Sequence, residues 1–135
     1  MTFAEIMQLK GKEAGLSFTA QQLEQFSAYY ELLVETNKVM NLTAITEPEE
    51  VAVKHMIDSL LAFDEKLFGE KTLADVGTGA GFPGIPIAIT TERKTLLADS
   101  VGKKITALNR MITKLSLVGI VSTFQGRIED LAKDQ

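Results

Sequence analysis

Cysteine is absent from the 135 residues and histidine occurs once. No disulfide framework, thiolate zinc site or cysteine nucleophile can therefore exist, and a single histidine makes no His-based metal cluster, so no metal is expected. Long apolar runs are missing too. Nowhere do about eighteen consecutive apolar residues line up to span a bilayer. The start, Met1-Thr-Phe-Ala-Glu-Ile6, lacks the basic and apolar regions of a secretory signal. A cytoplasmic chain without membrane partners is the expectation. What remains is 45% hydrophobic and 24% charged, the composition of an ordinary globular domain long enough to bury a core. Its chemistry has to come from carboxylates, backbone amides or a bound cofactor.

Positive charge is also short. The net charge of -4 is wrong for a nucleic-acid binder, because phosphate contacts need lysine and arginine. The average hides an asymmetry. Residues 1–66 hold five Lys/Arg against eleven Asp/Glu, and residues 67–135 hold nine against seven. Any RNA contact belongs mainly to the second half or to local patches.

The first part reads as helical. A short helix spans Phe3 to Lys12 and ends near Gly15. Thr19 and Gln22 then have capping-box spacing, and Leu23, Phe26, Tyr30, Leu33, Val34 and Asn37 recur at helical intervals. A second box, Thr46 with Glu49 around Pro48, opens a third helix with Val53, Met56, Ile57, Leu60 and Leu61 as its stripe. Between them Asn37-Lys-Val-Met-Asn41-Leu-Thr43 reads as a polar turn, with both asparagines as turn and cap residues.

After Phe68-Gly69 the pattern changes to short apolar runs punctuated by glycine, which divides the chain into 1–68, a helical extension, and 69–135, an α/β unit. Strands are expected at Thr72–Val76, Thr95–Ala98 and Val121–Phe124, and helices at Gly84–Thr90 and Gly102–Ser116. Strand-helix-strand-helix-strand with short connections implies a parallel sheet with right-handed crossovers.

The densest signal is Asp75-Val-Gly77-Thr78-Gly79-Ala-Gly81-Phe82-Pro-Gly84, four glycines within eight residues between a strand and a helix. Such a loop lets a ligand lie against backbone, with free amides at the helix start as donors. Gly79-Ala-Gly81-Phe-Pro-Gly84 also has dinucleotide spacing. The longer reading from Asp75 through Gly77, Gly79 and Gly81 is the pattern of class I methyltransferases. An acid at the strand end can reach the amino group of a methionine moiety, but would repel a pyrophosphate. Asp99, ending the second strand 22 residues after Gly77, can accept from both ribose hydroxyls of an adenosine or simply cap the next helix. Gly126-Arg-Ile128-Glu129-Asp130 stands where methyltransferases contact adenine, although Glu129 and Asp130 are equally first-turn helix charges. Lys103, Arg110 and Lys114 align on one helix face, which fits RNA phosphates or an ordinary solvated surface. His55 shares a helix side with Asp58 and Ser59 and reads as a base or a partly buried structural histidine.

Asn37-Lys-Val-Met-Asn41-Leu-Thr43-Ala-Ile, then Glu49-Glu-Val-Ala-Val-Lys54-His55-Met-Ile-Asp58-Ser59-Leu, then the glycine loop through Gly84-Ile-Pro, closely resemble the bacterial small-subunit ribosomal RNA methyltransferase G family, also called glucose-inhibited division protein B. Leu97-Ala-Asp99-Ser-Val-Gly-Lys-Lys104 and Gly126-Arg-Ile-Glu129 extend the match. The resemblance implies a class I methyltransferase (Rossmann-like) α/β sheet with a helical N-terminal extension. The implied activity is methyl transfer from S-adenosyl-L-methionine to N7 of a guanine in 16S ribosomal RNA, free or in the small ribosomal subunit, by a monomer. It further implies that Gly77 and Phe82 contact the cofactor, that Ile128 and Glu129 bound its adenine, and that no dedicated base is needed. Family members run longer, so an incomplete sheet is expected, with an open edge at the first strand. A later arginine of the cofactor site and much of the substrate surface would lie beyond it.

Three readings fit these residues: the RNA methyltransferase or a fragment of one, an NAD-type oxidoreductase, and a non-catalytic nucleotide- or RNA-binding module. Asp75 and the glycine register argue against the oxidoreductase.

Overall fold

The computed structural model describes residues 1–63, 71–127 and 129–130. Helix α1 (Phe3–Glu13) opens on a capping box: Thr2 Oγ1 accepts from the Glu5 amide, and the Glu5 carboxylate accepts from the Thr2 amide. Helix α2 (Ala20–Asn37) opens on the expected Thr19–Gln22 box. Its buried stripe is the expected one only at Phe26 and Leu33. Phe26, Tyr29, Leu32, Leu33 and Thr36 are buried, whereas Tyr30 and Val34 are half-buried. The reason is that α2 has packing partners on more than one side. Toward α1, Tyr30 stacks on Phe3 with ring centroids 4.4 Å apart, and elsewhere α2 packs against helices of the α/β part.

The third helix is three pieces in series: α3 (Pro48–Glu50), a π-helical segment (Val51–Ile57) and α4 (Asp58–Ala62). The expected Thr46–Glu49 box does not form. Glu47 is the cap residue and no side chain caps it; the helix begins one residue later than the box requires, and the Thr46 carbonyl accepts from the Tyr30 hydroxyl at 2.7 Å. Val51, Ala52, Met56 and Ile57 are buried. This spacing of five follows from i→i+5 hydrogen bonding and explains why the expected 3.6-residue stripe holds only at Met56 and Ile57, whereas Val53 and Leu60 are half-buried and Leu61 is 55% exposed.

The α/β part runs β1 (Leu73–Val76), α5 (Gly84–Thr91), β2 (Thr95–Asp99), α6 (Gly102–Lys114), β3 (Val121–Gln125). The three strands are parallel in the order β1-β2-β3, with Asp75 opposite Leu97 and Asp99 opposite Gln125. Short apolar strands alternating with helices give this topology directly. Leu97 from β2, Ile85 and Ala88 from α5, Leu108 and Ile112 from α6, and Phe26, Tyr29 and Leu33 from α2 belong to one hydrophobic cluster. Among the described residues β1 is an edge strand, and its second face, carrying Ala74 and Val76, is exposed. No described helix is long and apolar enough to cross a membrane.

Candidate functional site

The carboxyl ends of parallel strands, where the backbone turns into the following helices, are where open α/β sheets collect ligands. Here the three strand ends surround a cleft of about 270 Å³, lined by Val76, Gly77, Ala98, Asp99, Ser100, Gly126, Arg127 and Glu129. Small-molecule pockets run to about 300–1,000 Å³, so this cleft lies just below the small end of that range, on the scale of part of a nucleoside ligand.

The glycine loop forms one wall. Gly77 and Gly79 have φ of +71° and +58°, and a Cβ built on either would meet no atom within 4 Å. Positive φ explains glycine at both, and the open space leaves bare backbone facing outward. Opposite, Asp99 is held by its two oxygens: Oδ2 accepts from the Gly79 amide at 3.1 Å and Oδ1 from the Val101 amide at 3.0 Å. Val101, not Asp99, is the N-cap of α6, which excludes the simple capping role. Each carboxylate oxygen retains a second lone pair, so Asp99 can still accept from ribose hydroxyls. The residues present fit a nucleoside cofactor.

Asp75 lies beneath the loop. Its Oδ2 accepts from the Thr78 hydroxyl at 2.7 Å and from the Gly84 amide at 3.0 Å, which binds the loop to the first turn of α5. Burial pushes its carboxyl above the ordinary range; the two hydrogen bonds oppose this and the charge of Asp99 adds to it. Gly84 is required by close approach, because a Cβ there would run into the Leu97 side chain.

Phe82 faces the helical part instead. Its ring stacks on His55 at 4.4 Å and 16°, and lies 5.3 Å from Tyr29. The fully buried Tyr29 hydroxyl donates to the Ala80 carbonyl at 2.6 Å, and burial, with the Asp75 charge as a lesser cause, pushes its pKa well up. His55 Nε2 lies 2.8 Å from Thr43 Oγ1. Burial holds the His55 pKa down against the field of Asp58, while Ser59 bonds to the His55 backbone carbonyl rather than to its ring.

Of the expected site residues, Gly77, Asp99 and Glu129 line one cleft, with Gly79 tied to Asp99. Asp75 and Thr78 brace the loop from below; Gly81 turns at its rear with φ +99°, and Phe82 points away from the cleft lining. Ile128 falls outside the described residues. Lys103 and Arg110 border a groove with Glu35, Thr36, Val39 and Met40, and Arg110 pairs with Glu35 at 3.0 Å. Lys114 borders a different groove with Gln21, Glu24 and Gln25. Tyr29 was missed as a loop contact, although it follows Phe26 and precedes Leu33 at helical spacing.

The family model for rRNA small subunit methyltransferase G (GidB) matches residues 22–135. The chain belongs to this family. Its relatives in the family include the Ribosomal RNA small subunit methyltransferase G of Clostridium botulinum (strain Eklund 17B / Type B), 46% identical over all of this chain and 57% of the relative. The protein of that name from Lachnoclostridium phytofermentans is 48% identical over 90% of this chain and 51% of its own length. That from Leuconostoc mesenteroides is 44% identical over 90% and 52%. The chain thus spans a little over half the length of these methyltransferase G relatives, and the part it shares with them contains the glycine loop, Asp99 and the His55 helix.

Proposed function

We propose that this chain is the cofactor-binding portion of an S-adenosyl-L-methionine-dependent methyltransferase acting on N7 of a guanine in 16S ribosomal RNA. Residues 1–68 would form the helical extension and 69–135 the first half of the cofactor domain, working in the cytoplasm as a monomer on free RNA or on the small ribosomal subunit. The observation that carries the reading is the strand-end cleft, in which the open backbone of Gly77 and Gly79 faces the doubly anchored Asp99. Family membership supports the choice of a methyl donor over a dinucleotide.

The cofactor, when bound, supplies an electrophilic methyl group on a sulfonium. Guanine N7 presents a lone pair and no proton, so the chain's residues need only bind and align. Asp99 would take the ribose hydroxyls, and Glu129 and Ile128 would border the adenine. Gly77 through Gly81 would offer backbone to the methionine moiety, with Phe82 backing the loop from the side of the helical part. Asp75 and Thr78 would hold that loop in shape. Lys103, Arg110 and Lys114 would meet RNA phosphates.

Isothermal titration of S-adenosylmethionine into the chain tests this, with NAD as competitor. Saturable binding that NAD does not displace is expected, and Asp99→Ala should weaken it about 10- to 100-fold, as for hydrogen bonds to a charged group. Displacement by NAD would favour an oxidoreductase. Cofactor binding without methyl transfer to small-subunit RNA would favour a binding module.

A further inference from the structure

The helical part reaches the glycine loop through a short series of contacts that begins at the end of α2. Asn37 Oδ1 accepts from the Leu42 and Thr43 amides at 2.8 and 3.0 Å, closing the polar turn onto the helix. Thr43 Oγ1 accepts from the Ile45 amide at 3.1 Å and shares a hydrogen bond with His55 Nε2 at 2.8 Å, its direction set by the imidazole tautomer. The other side of the picture is the stack of His55 on Phe82, one residue from the glycine at which the loop bends. We propose that His55 is a positioning residue for the cofactor loop, its hydrogen bond to Thr43 fixing the ring plane against which Phe82 rests.

The inference rests on reading that loop as the S-adenosylmethionine site and adds a link between it and the turn at 37–43. A phenyl ring packed on aliphatic side chains can rotate and slide. A ring packed on an imidazole whose edge is hydrogen-bonded has its tilt set by the bonding partner. Burial favours the neutral imidazole, whose Nε2 accepts from or donates to the Thr43 hydroxyl according to tautomer. The path from Asn37 to Phe82 is contiguous, each step a contact of ordinary hydrogen-bond or stacking distance, as energetic coupling by packed groups requires. Whatever displaces Thr43 also turns the wall behind Phe82.

Titration of S-adenosylmethionine into the 135-residue chain and three variants tests this, alongside NMR of the C2 proton of the chain's single histidine. His55→Phe keeps a ring on Phe82 and removes the hydrogen bond. His55→Gln keeps a polar group near the Nε2 position and removes the stack. Thr43→Val removes the hydroxyl at constant shape. The expected result is that His55→Gln weakens binding about three- to tenfold, the worth of an aromatic pair, and that His55→Phe and Thr43→Val, which keep a ring on Phe82 but lose the bond that fixes its plane, each fall between His55→Gln and wild type. The C2 proton, shielded by Phe82, should move on saturation. Equal losses in His55→Gln and His55→Phe, no loss in either, or an unmoved C2 proton at saturation would each overturn the positioning role while the cofactor assignment stands. A folded wild-type chain that takes up no S-adenosylmethionine overturns the cofactor assignment itself, and the positioning role with it.

Discussion

The Tyr29 hydroxyl and the Ala80 carbonyl, 51 residues apart in the chain, share a buried hydrogen bond of 2.6 Å. A helix of the N-terminal part thereby holds the middle of the glycine loop. Tyr29→Phe removes the donor and little else, leaving a buried carbonyl unpaired at a cost of about 1–3 kcal/mol. Urea unfolding should show a lower midpoint with an unchanged slope. An unchanged midpoint would mean that the loop finds another donor.

Gly84→Ala sets two effects against each other. Alanine in place of glycine favours a helix by about 1 kcal/mol. The added methyl, however, would press on Leu97 and stand 3.0 Å from Asp75 Oδ2, and overpacking a buried site costs about 1–3 kcal/mol. The steric effect should win, with net destabilisation in chemical denaturation. A gain in stability would show that α5 can lift from β2 without loss.

Acid should weaken the fold through His55. Its pKa is held below the ordinary 6.5, chiefly by burial, so the unfolded chain takes up the proton more readily than the folded one. The stability it contributes is complete above pH 6.5 and is lost as pH falls through the lower folded value. Asp75 works in the opposite sense. Its raised pKa gives a contribution complete below the ordinary 3.8 and lost as pH rises through the folded value. Thermal midpoints recorded downward from pH 7 for wild type and His55→Phe should separate the two: the variant's profile should be flatter on the acid side. Parallel profiles would remove His55 as the source.

Arg110→Ala should leave stability nearly untouched, because the pair with Glu35 is half or more exposed on both sides and such pairs contribute about 0–1 kcal/mol. If the α6 face meets RNA, the same change should weaken binding to small-subunit RNA and lower the magnitude of its salt slope by about 1. Salt titrations of binding measure this, and an unchanged slope would return Arg110 to the solvated surface.

The β1-loop-α5 unit and Asp99 were legible because each depends on local signals: glycines requiring positive φ, a short apolar run before them, an acid at the end of the next strand. Tyr29 was not, because the periodicity of α2 fixes a helix without saying on how many sides it is covered; Tyr30 fits a one-sided stripe better, and only the presence of α5 and α6 beside α2 explains the burial of Tyr29. Asp75 was legible as an acid at the loop but not as the acceptor for both Thr78 and Gly84, since that depends on how tightly the loop folds back. The partner of Phe82 was hidden for a different reason. His55 sits in the π segment, where a 3.6-residue reading assigns side chains to the wrong side.

That π segment carries information in its length. Between Val51 and Ile57 the helix spends about one residue more per turn than an α-helix does, and the register of everything after it depends on that surplus. Removing any one residue would let the stretch relax to α geometry, with the pieces on either side keeping nearly their present directions but the side chains inside the segment, His55 among them, re-spaced around the axis. The exposed Lys54 can change its chemistry at little cost, whereas an insertion or deletion anywhere in these seven residues disturbs the alignment of His55 with Phe82 even when every buried residue is retained. Along this stretch the constraint falls on how many residues there are more than on which ones they are.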